Sequence, residues 1–197
     1  MPRINPLKID SATGPVRSLL DSVNASHGFI PNLFRTLAQS EVALRAYLNL
    51  RECLTGGLLE AKLRAQIALT VTAINDCPYC LGPEGYAARA AGLKRVEIVA
   101  AWRATALDPR ADAALKFAVA LVIQRGKVTD TDYLTIRQAG FSDGEIAEIV
   151  AHVALNIFAN YFSKLAELEL DAAWVGEMTP RYNGYSGGFE SGEALSG

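Results

Sequence analysis

Cys77 and Cys80, separated by Pro78 and Tyr79, form the close thiol pair of this 197-residue chain, whose third cysteine is Cys53. A Cys-x-x-Cys pair can pass between dithiol and disulfide, or can supply half of a tetrahedral zinc site. The second half of such a site is missing from the sequence, so no metal or other cofactor is expected. A merely structural pair is the remaining reading. The polar Asn75-Asp76 step just before Cys77 places that residue near a helix cap. Backbone N–H groups and the positive end of the helix dipole stabilise a thiolate there.

Around the pair, few side chains could move a proton. Glu84 lies four residues after Cys80, a spacing that puts both on one helical face, and a carboxyl raised toward neutrality by burial could act as a general base. The bland alternative is a water-exposed carboxylate in the first turn of a helix that restarts after Gly82-Pro83. Pro83 lacks the donor for the Tyr79 carbonyl, so a kink or restart is expected there. Tyr79 could donate a hydrogen bond into a pocket, or could simply pack. His152 sits beside the apolar stripe of a late helix, one turn after Glu148. The two could form an acid–base pair, against the commoner case of a satisfied core histidine. His27 adjoins Gly28 in a turn and is expected to be solvated. Cys53 reads as a small buried hydrophobe, and Asn160 and Tyr161 as core or interface residues.

The elements that must position these residues are helices. Val16, Leu19, Leu20 and Val23 share one face, as do Leu44, Tyr47 and Leu48, and alternating strand patterns are almost absent. Pro31 can seat the first turn of a short helix running to about Ala38. Residues 58–75 have few charges, as expected of a central helix surrounded by others. Shorter helices are expected over 94–103, 110–125 and 129–139. The firmest boundary is Ser142-Asp143-Gly144-Glu145, a capping box flanked by Phe141 and Ile146 as a hydrophobic staple. The helix it opens keeps its period to about Leu168. Beyond Trp174 the chain turns to Gly, Ser, Tyr and Glu, too polar to pack as a helix, and residues 172–197 are read as a mobile tail or an arm that orders on a neighbouring subunit.

Composition narrows the partners. Half the residues are hydrophobic, a fifth are charged, and the formal net charge is −2; no basic field exists to hold nucleic acid or anionic lipid. The long apolar runs are interrupted by Thr, Glu, His or Asn and read as buried helices rather than membrane spans. The amino terminus lacks the apolar region of a secretory signal, so a cytoplasmic protein in a reducing compartment is expected.

Several segments together carry a resemblance. Leu63-Arg64-Ala65-Gln66-Ile67-Ala68-Leu69, then Asn75-Asp76-Cys77-Pro78-Tyr79-Cys80 and Ala90-Ala91-Gly92-Leu93, resemble the core of the carboxymuconolactone decarboxylase superfamily in its AhpD-like (alkylhydroperoxidase D-like), peroxidase-related branch. Gly28-Phe29-Ile30-Pro31-Asn32-Leu33-Phe34 before the core agrees, as do His152-Val153-Ala154-Leu155-Asn156 and Asn160-Tyr161-Phe162 after it. The resemblance spans residues 1–171, with a core at about 41–126. It implies an all-α, AhpD-like helical fold that is a homo-oligomer (dimer, trimer or hexamer). It also implies a thiol-dependent oxidoreductase in which Cys80 attacks a small-molecule peroxide or a disulfide and Cys77 resolves it, with a protein thiol or disulfide as electron donor. The family relay places a Glu twelve residues before the first Cys and a His four after the second. Here those positions are Ala65 and Glu84. An ionised Glu84 would oppose a thiolate that a His would support, so family-type peroxidase activity is expected to be weakened. The alternatives are non-redox chemistry on a small organic acid or lactone, with Glu84 moving a proton, and a non-catalytic oligomeric homologue.

Overall fold

Apolar residues recurring every three or four positions must bury one stripe of each helix, and a chain made of such stripes closes by packing helix on helix. The computed structural model describes residues 2–174 and holds nine α-helices and no strand among them. These are α1 (Gly14–His27), α2 (Asn32–Leu37), α3 (Glu41–Thr55), α4 (Ala61–Ile74), α5 (Pro78–Ala90), α6 (Arg95–Trp102), α7 (Pro109–Ile123), α8 (Asp130–Gln138) and α9 (Asp143–Ala166). The fold is all-α, as the periodicity predicts.

Helix ends follow local chemistry. Ser142 Oγ accepts from the Glu145 amide at 3.2 Å while the Glu145 carboxylate accepts from the Ser142 amide at 2.9 Å, so the expected capping box opens α9. Phe141 and Ile146 pack into the same apolar cluster, as a staple requires. Thr129 with Asp132 opens α8 in the same way, and Ser40 and Asp108 cap α3 and α7. Such caps contribute about 1 kcal/mol each. Gly28, at φ 76°, ends α1 in the left-handed region that glycine enters without strain. Pro31 stands at the N-cap of α2, one residue before the helix proper.

α4 is the central helix. Nine of its fourteen residues are buried, and it packs against α5, α6, α7 and α9. One apolar cluster, with Leu69, Ile98, Leu115, Ile136 and Ile149, joins α4 to α6 through α9. A second, with Leu20, Leu37, Leu44, Tyr47 and both Cys77 and Cys80, joins α1, α2, α3, the start of α5 and the second half of α9. Each large side chain so enclosed contributes about 1.5–3 kcal/mol. α9 runs through both clusters. By length and hydropathy its 24 residues could cross a bilayer, but its stripe from Ile149 to Ala166 is spent on the two clusters.

Two sequence expectations fail here. The helix does not restart at Pro83: α5 runs from Pro78 to Ala90 with that proline inside it. Gly82 and Gly85 are both buried, and a Cβ at Gly82 would stand 3.0 Å from the Cβ of Trp174, so close packing on the segment after α9 holds the helix through its proline. Cys53 is exposed rather than buried. It lies more than a third of a turn off the centre of the α3 face that buries Leu44, Tyr47 and Leu54.

Of the segment read as a tail, Ala172–Trp174 forms a 3-10 turn with Trp174 buried edge-on to Phe29 and Tyr79. The rest of it, residues 175–197, lies outside the described residues.

Candidate functional site

The turn from α4 into α5 aims the thiols. Asp76 holds φ 47°, a left-handed conformation rare outside glycine, and brings Cys77 to the N-cap of α5 with Pro78 in the first helical position. Cys80 follows in the first turn. The sequence expectation of a cysteine at a helix cap is met. The two sulfurs are joined in a disulfide, and both residues are buried, at 2 % and 3 % exposure.

A cavity of about 530 Å³ opens against the disulfide and is lined by Cys80 but not by Cys77. Its wall draws on α1, α2, α3, α4, α5 and α9, and Trp174 adds to it from beyond α9. It therefore sits where the two apolar clusters meet. Ala65 and Glu84, the two positions at which this chain departs from the family relay, both line it.

Glu84 is half-buried, not a solvated carboxylate of a restarted helix. Burial pushes its carboxyl up from the ordinary range, and the Arg51 guanidinium draws it partly back. His152, on α9, is 6 % exposed and also lines the cavity. Its Nε2 has no hydrogen-bond partner, so the satisfied core histidine of the bland reading is not what the fold contains. Desolvation, with the Arg64 charge second, brings its pKa down to about 4 against a weaker upward pull from Glu148. His152 is thus a neutral imidazole at pH 7.

The expected pairing of Glu148 with His152 does not form. The Glu148 carboxylate accepts instead from the Leu58 amide at 2.7 and 2.8 Å and from the Leu59 amide at 3.1 Å. These donors precede α4 and would otherwise lack partners, which makes them the better match for a carboxylate. A Cβ at Gly57 would fall 2.5 Å from that carboxylate, so the glycine keeps room for the contact.

Tyr79 lines the cavity, but its hydroxyl works in the scaffold. It donates to Asp171 at 2.8 Å and accepts from the Leu33 amide at 3.0 Å, while Asp171 also accepts from the Asn32 amide at 3.0 Å. This network ties α5, α2 and the segment after α9 together. Burial first, then the Asp171 charge, raises the Tyr79 phenol far above its usual range. Asn160 is likewise a scaffold residue: it accepts from the Asn75 amide group at 2.9 Å and donates to Thr72 Oγ1 at 3.2 Å, fixing the end of α4 just before the thiols.

Sequence reasoning missed Arg51 and misplaced His27. His27 is half-buried in the cavity wall, not free in a turn. Its Nδ1 lies 3.1 Å from the Val23 carbonyl and its Nε2 lies 3.2 and 3.3 Å from the two terminal nitrogens of Arg51. A guanidinium only donates, so Nε2 is the acceptor and the proton sits on Nδ1. Burial and then Arg51 lower the His27 pKa. The signal for Arg51 was available: it lies one turn after Tyr47, on the apolar face of α3, where a charge has no ordinary reason to be.

Residues 42–124 match the carboxymuconolactone decarboxylase family. Over that stretch the chain is similar to this family. Its fold is that of AhpD-like proteins. It is similar to an uncharacterized peroxidase-related protein from Ralstonia eutropha JMP134 described as an alkylhydroperoxidase AhpD core, with a TM-score of 0.79 and 24 % identity over 91 % of this chain and 98 % of that one. An uncharacterized peroxidase-related protein from Silicibacter sp. TM1040 gives 0.76 and 22 % over 89 % and 96 %. The debrominase Bmp8, as a cysteine-to-alanine variant in complex with 2,3,4-tribromopyrrole, gives 0.77 and 20 % over 89 % and 95 %. At these identities the likeness is one of fold. No curated protein sequence matches the chain.

Proposed function

We propose that this chain is a member of the carboxymuconolactone decarboxylase superfamily and a thiol-dependent oxidoreductase in which Cys80 is the nucleophile and Cys77 the resolving thiol. The observation that carries the reading is the asymmetry of the pair: both cysteines are within disulfide reach, yet Cys80 alone faces the cavity. In the reduced protein the first turn of α5 favours the Cys80 thiolate. Attack on a hydroperoxide forms an S–O bond and breaks the O–O bond, leaving Cys80 as a sulfenic acid and the substrate as an alkoxide that takes a proton. Glu84, whose raised pKa keeps it proton-bearing to higher pH than an ordinary carboxyl, is the group placed to give that proton. Cys77 then attacks the Cys80 sulfur, water leaves, and the disulfide forms. A dithiol donor returns the two electrons by thiol–disulfide exchange.

The test is thiol counting on the reduced protein before and after one equivalent of an organic hydroperoxide. Two of the three thiols should be lost, and Cys53, which is exposed and distant in sequence from the pair, should stay. Retention of all three would sink the proposal. The same titration on an Ala65→Glu, Glu84→His double variant should run faster by about a hundredfold, the usual contribution of a positioned acid–base group. Both positions already face the cavity.

A second reading is non-redox or dehalogenating chemistry on a small organic molecule. The size of the cavity favours it, as does the brominated ring held by the debrominase neighbour. Turnover that survives loss of both Cys77 and Cys80 would select the non-redox form.

We also propose that the protein self-associates through α9. Val150, Tyr161 and Leu165 are exposed at 45 %, 59 % and 58 %, and with Ala154 they follow one helical stripe. Sedimentation at micromolar concentration should give an oligomer that a Tyr161→Glu, Leu165→Glu variant dissociates; a monomeric parent rejects it.

A further inference from the structure

The charges around the cavity do not balance. Arg51 and Arg64 line it from α3 and α4, and neither has a carboxylate within ion-pair distance among the described residues. Arg64 donates to the Leu59 carbonyl at 2.6 Å. Arg51 donates to the neutral imidazole of His27 and lies 5.9 Å from the centre of the Phe34 ring. A neutral acceptor and an aromatic face hold a guanidinium in place without cancelling its charge. Glu84 is the one acid among the described residues of the lining, and burial favours its uncharged form.

A second observation points the same way. His152 Nε2 is enclosed yet unpartnered at the same cavity, and native folds leave such an atom unpaired where a ligand or water completes it. The volume, about 530 Å³, falls in the range of small-molecule sites and far exceeds what hydrogen peroxide needs. Phe34, Tyr47 and Trp174 supply aromatic walls.

We infer that the molecule reaching Cys80 is an organic one bearing a carboxylate, which Arg51 and Arg64 recognise, with Arg51 the specificity-determining residue. For the proposed thiol chemistry, on which this inference rests, that makes the oxidant a carboxylate-bearing organic hydroperoxide rather than hydrogen peroxide. The electrons and atoms move as already written, because the carboxylate takes no part in the O–O cleavage.

Benzoate and benzamide, equal in shape and different in charge, are suitable probes, read by tryptophan fluorescence because Trp174 lines the cavity. The wild type should bind benzoate about tenfold or more tightly than benzamide, the expected return of a charge-assisted contact. Arg51→Gln, a change at an exposed side chain, should bring the two ligands to within about twofold while leaving benzamide where it was. Equal binding in the wild type, binding of neither ligand, or a benzoate preference unchanged in Arg51→Gln overturns the inference. Cys80→Ser should keep the preference. A protein that keeps the preference but loses no thiols to hydroperoxide would reject the redox reading and leave the carboxylate site standing.

Discussion

Cys80→Ser is expected to lower hydroperoxide turnover by about a thousandfold or more, because a serine hydroxyl without a strong base beside it is a far poorer nucleophile than a thiolate. Cys77→Ser should behave differently. With the resolving thiol gone, oxidation stops at the Cys80 sulfenic acid, which a nucleophilic trap such as dimedone adds to once per chain and which mass spectrometry locates. The contrast follows from geometry: Cys80 faces the cavity at the first turn of α5, whereas Cys77 caps the helix behind it. If the labelling pattern were reversed, with Cys77 trapped when Cys80 is removed, the assignment of roles would be wrong. If Cys80→Ser kept turnover, proton chemistry at Glu84 would take its place.

The second large effect is on stability. Folded His152 takes up a proton only below about 4, whereas an unfolded chain binds one at 6.5. Between those values the unfolded state binds more protons, so stability must fall as pH drops through the window, levelling off below the folded value. The full loss amounts to about 3 kcal/mol, a large part of what a domain of this size has to lose. Glu84 works with the opposite sign. Its raised folded pKa means that the folded state is the better proton binder above 4.5, so the stability it gains at low pH is lost as pH rises through its folded value. The informative quantity is therefore the difference between the wild type and His152→Gln in urea midpoint from pH 7 to pH 4.5. The wild type should lose stability more steeply. Parallel slopes would mean that His152 is not held neutral by burial.

Local pattern made much of the fold legible. Ser142, Glu145, Phe141 and Ile146 specify the start of α9 because all four act within one turn of chain. Low charge over residues 58–75 marked α4 as central, since a helix with no polar face must be enclosed. Pro83 shows where local rules lose. Its missing donor is a real cost, and the contact of Gly82 with Trp174, from about ninety residues downstream, overrides it. Cys53 shows the converse, a residue type that is usually buried set on a face that no described residue covers.

The site divides along the same line. Sequence by itself determined the thiol pair, its place at a helix cap, the resemblance to the superfamily, and the presence of Ala65 and Glu84 where that family has its relay, because each of these is written in neighbouring residues. The tertiary structure alone decided which side chains share the cavity with Cys80. Arg51, His27 and His152 come from three helices far apart in the chain, and their convergence depends on how α1, α3 and α9 are rotated against α4 and α5. It also decided that Glu148 serves the amides before α4 rather than His152. Charge and hydrogen-bond partners act over a few ångströms of space, whatever the separation along the chain. The thiol pair could therefore be read from the sequence, whereas the field around it could not.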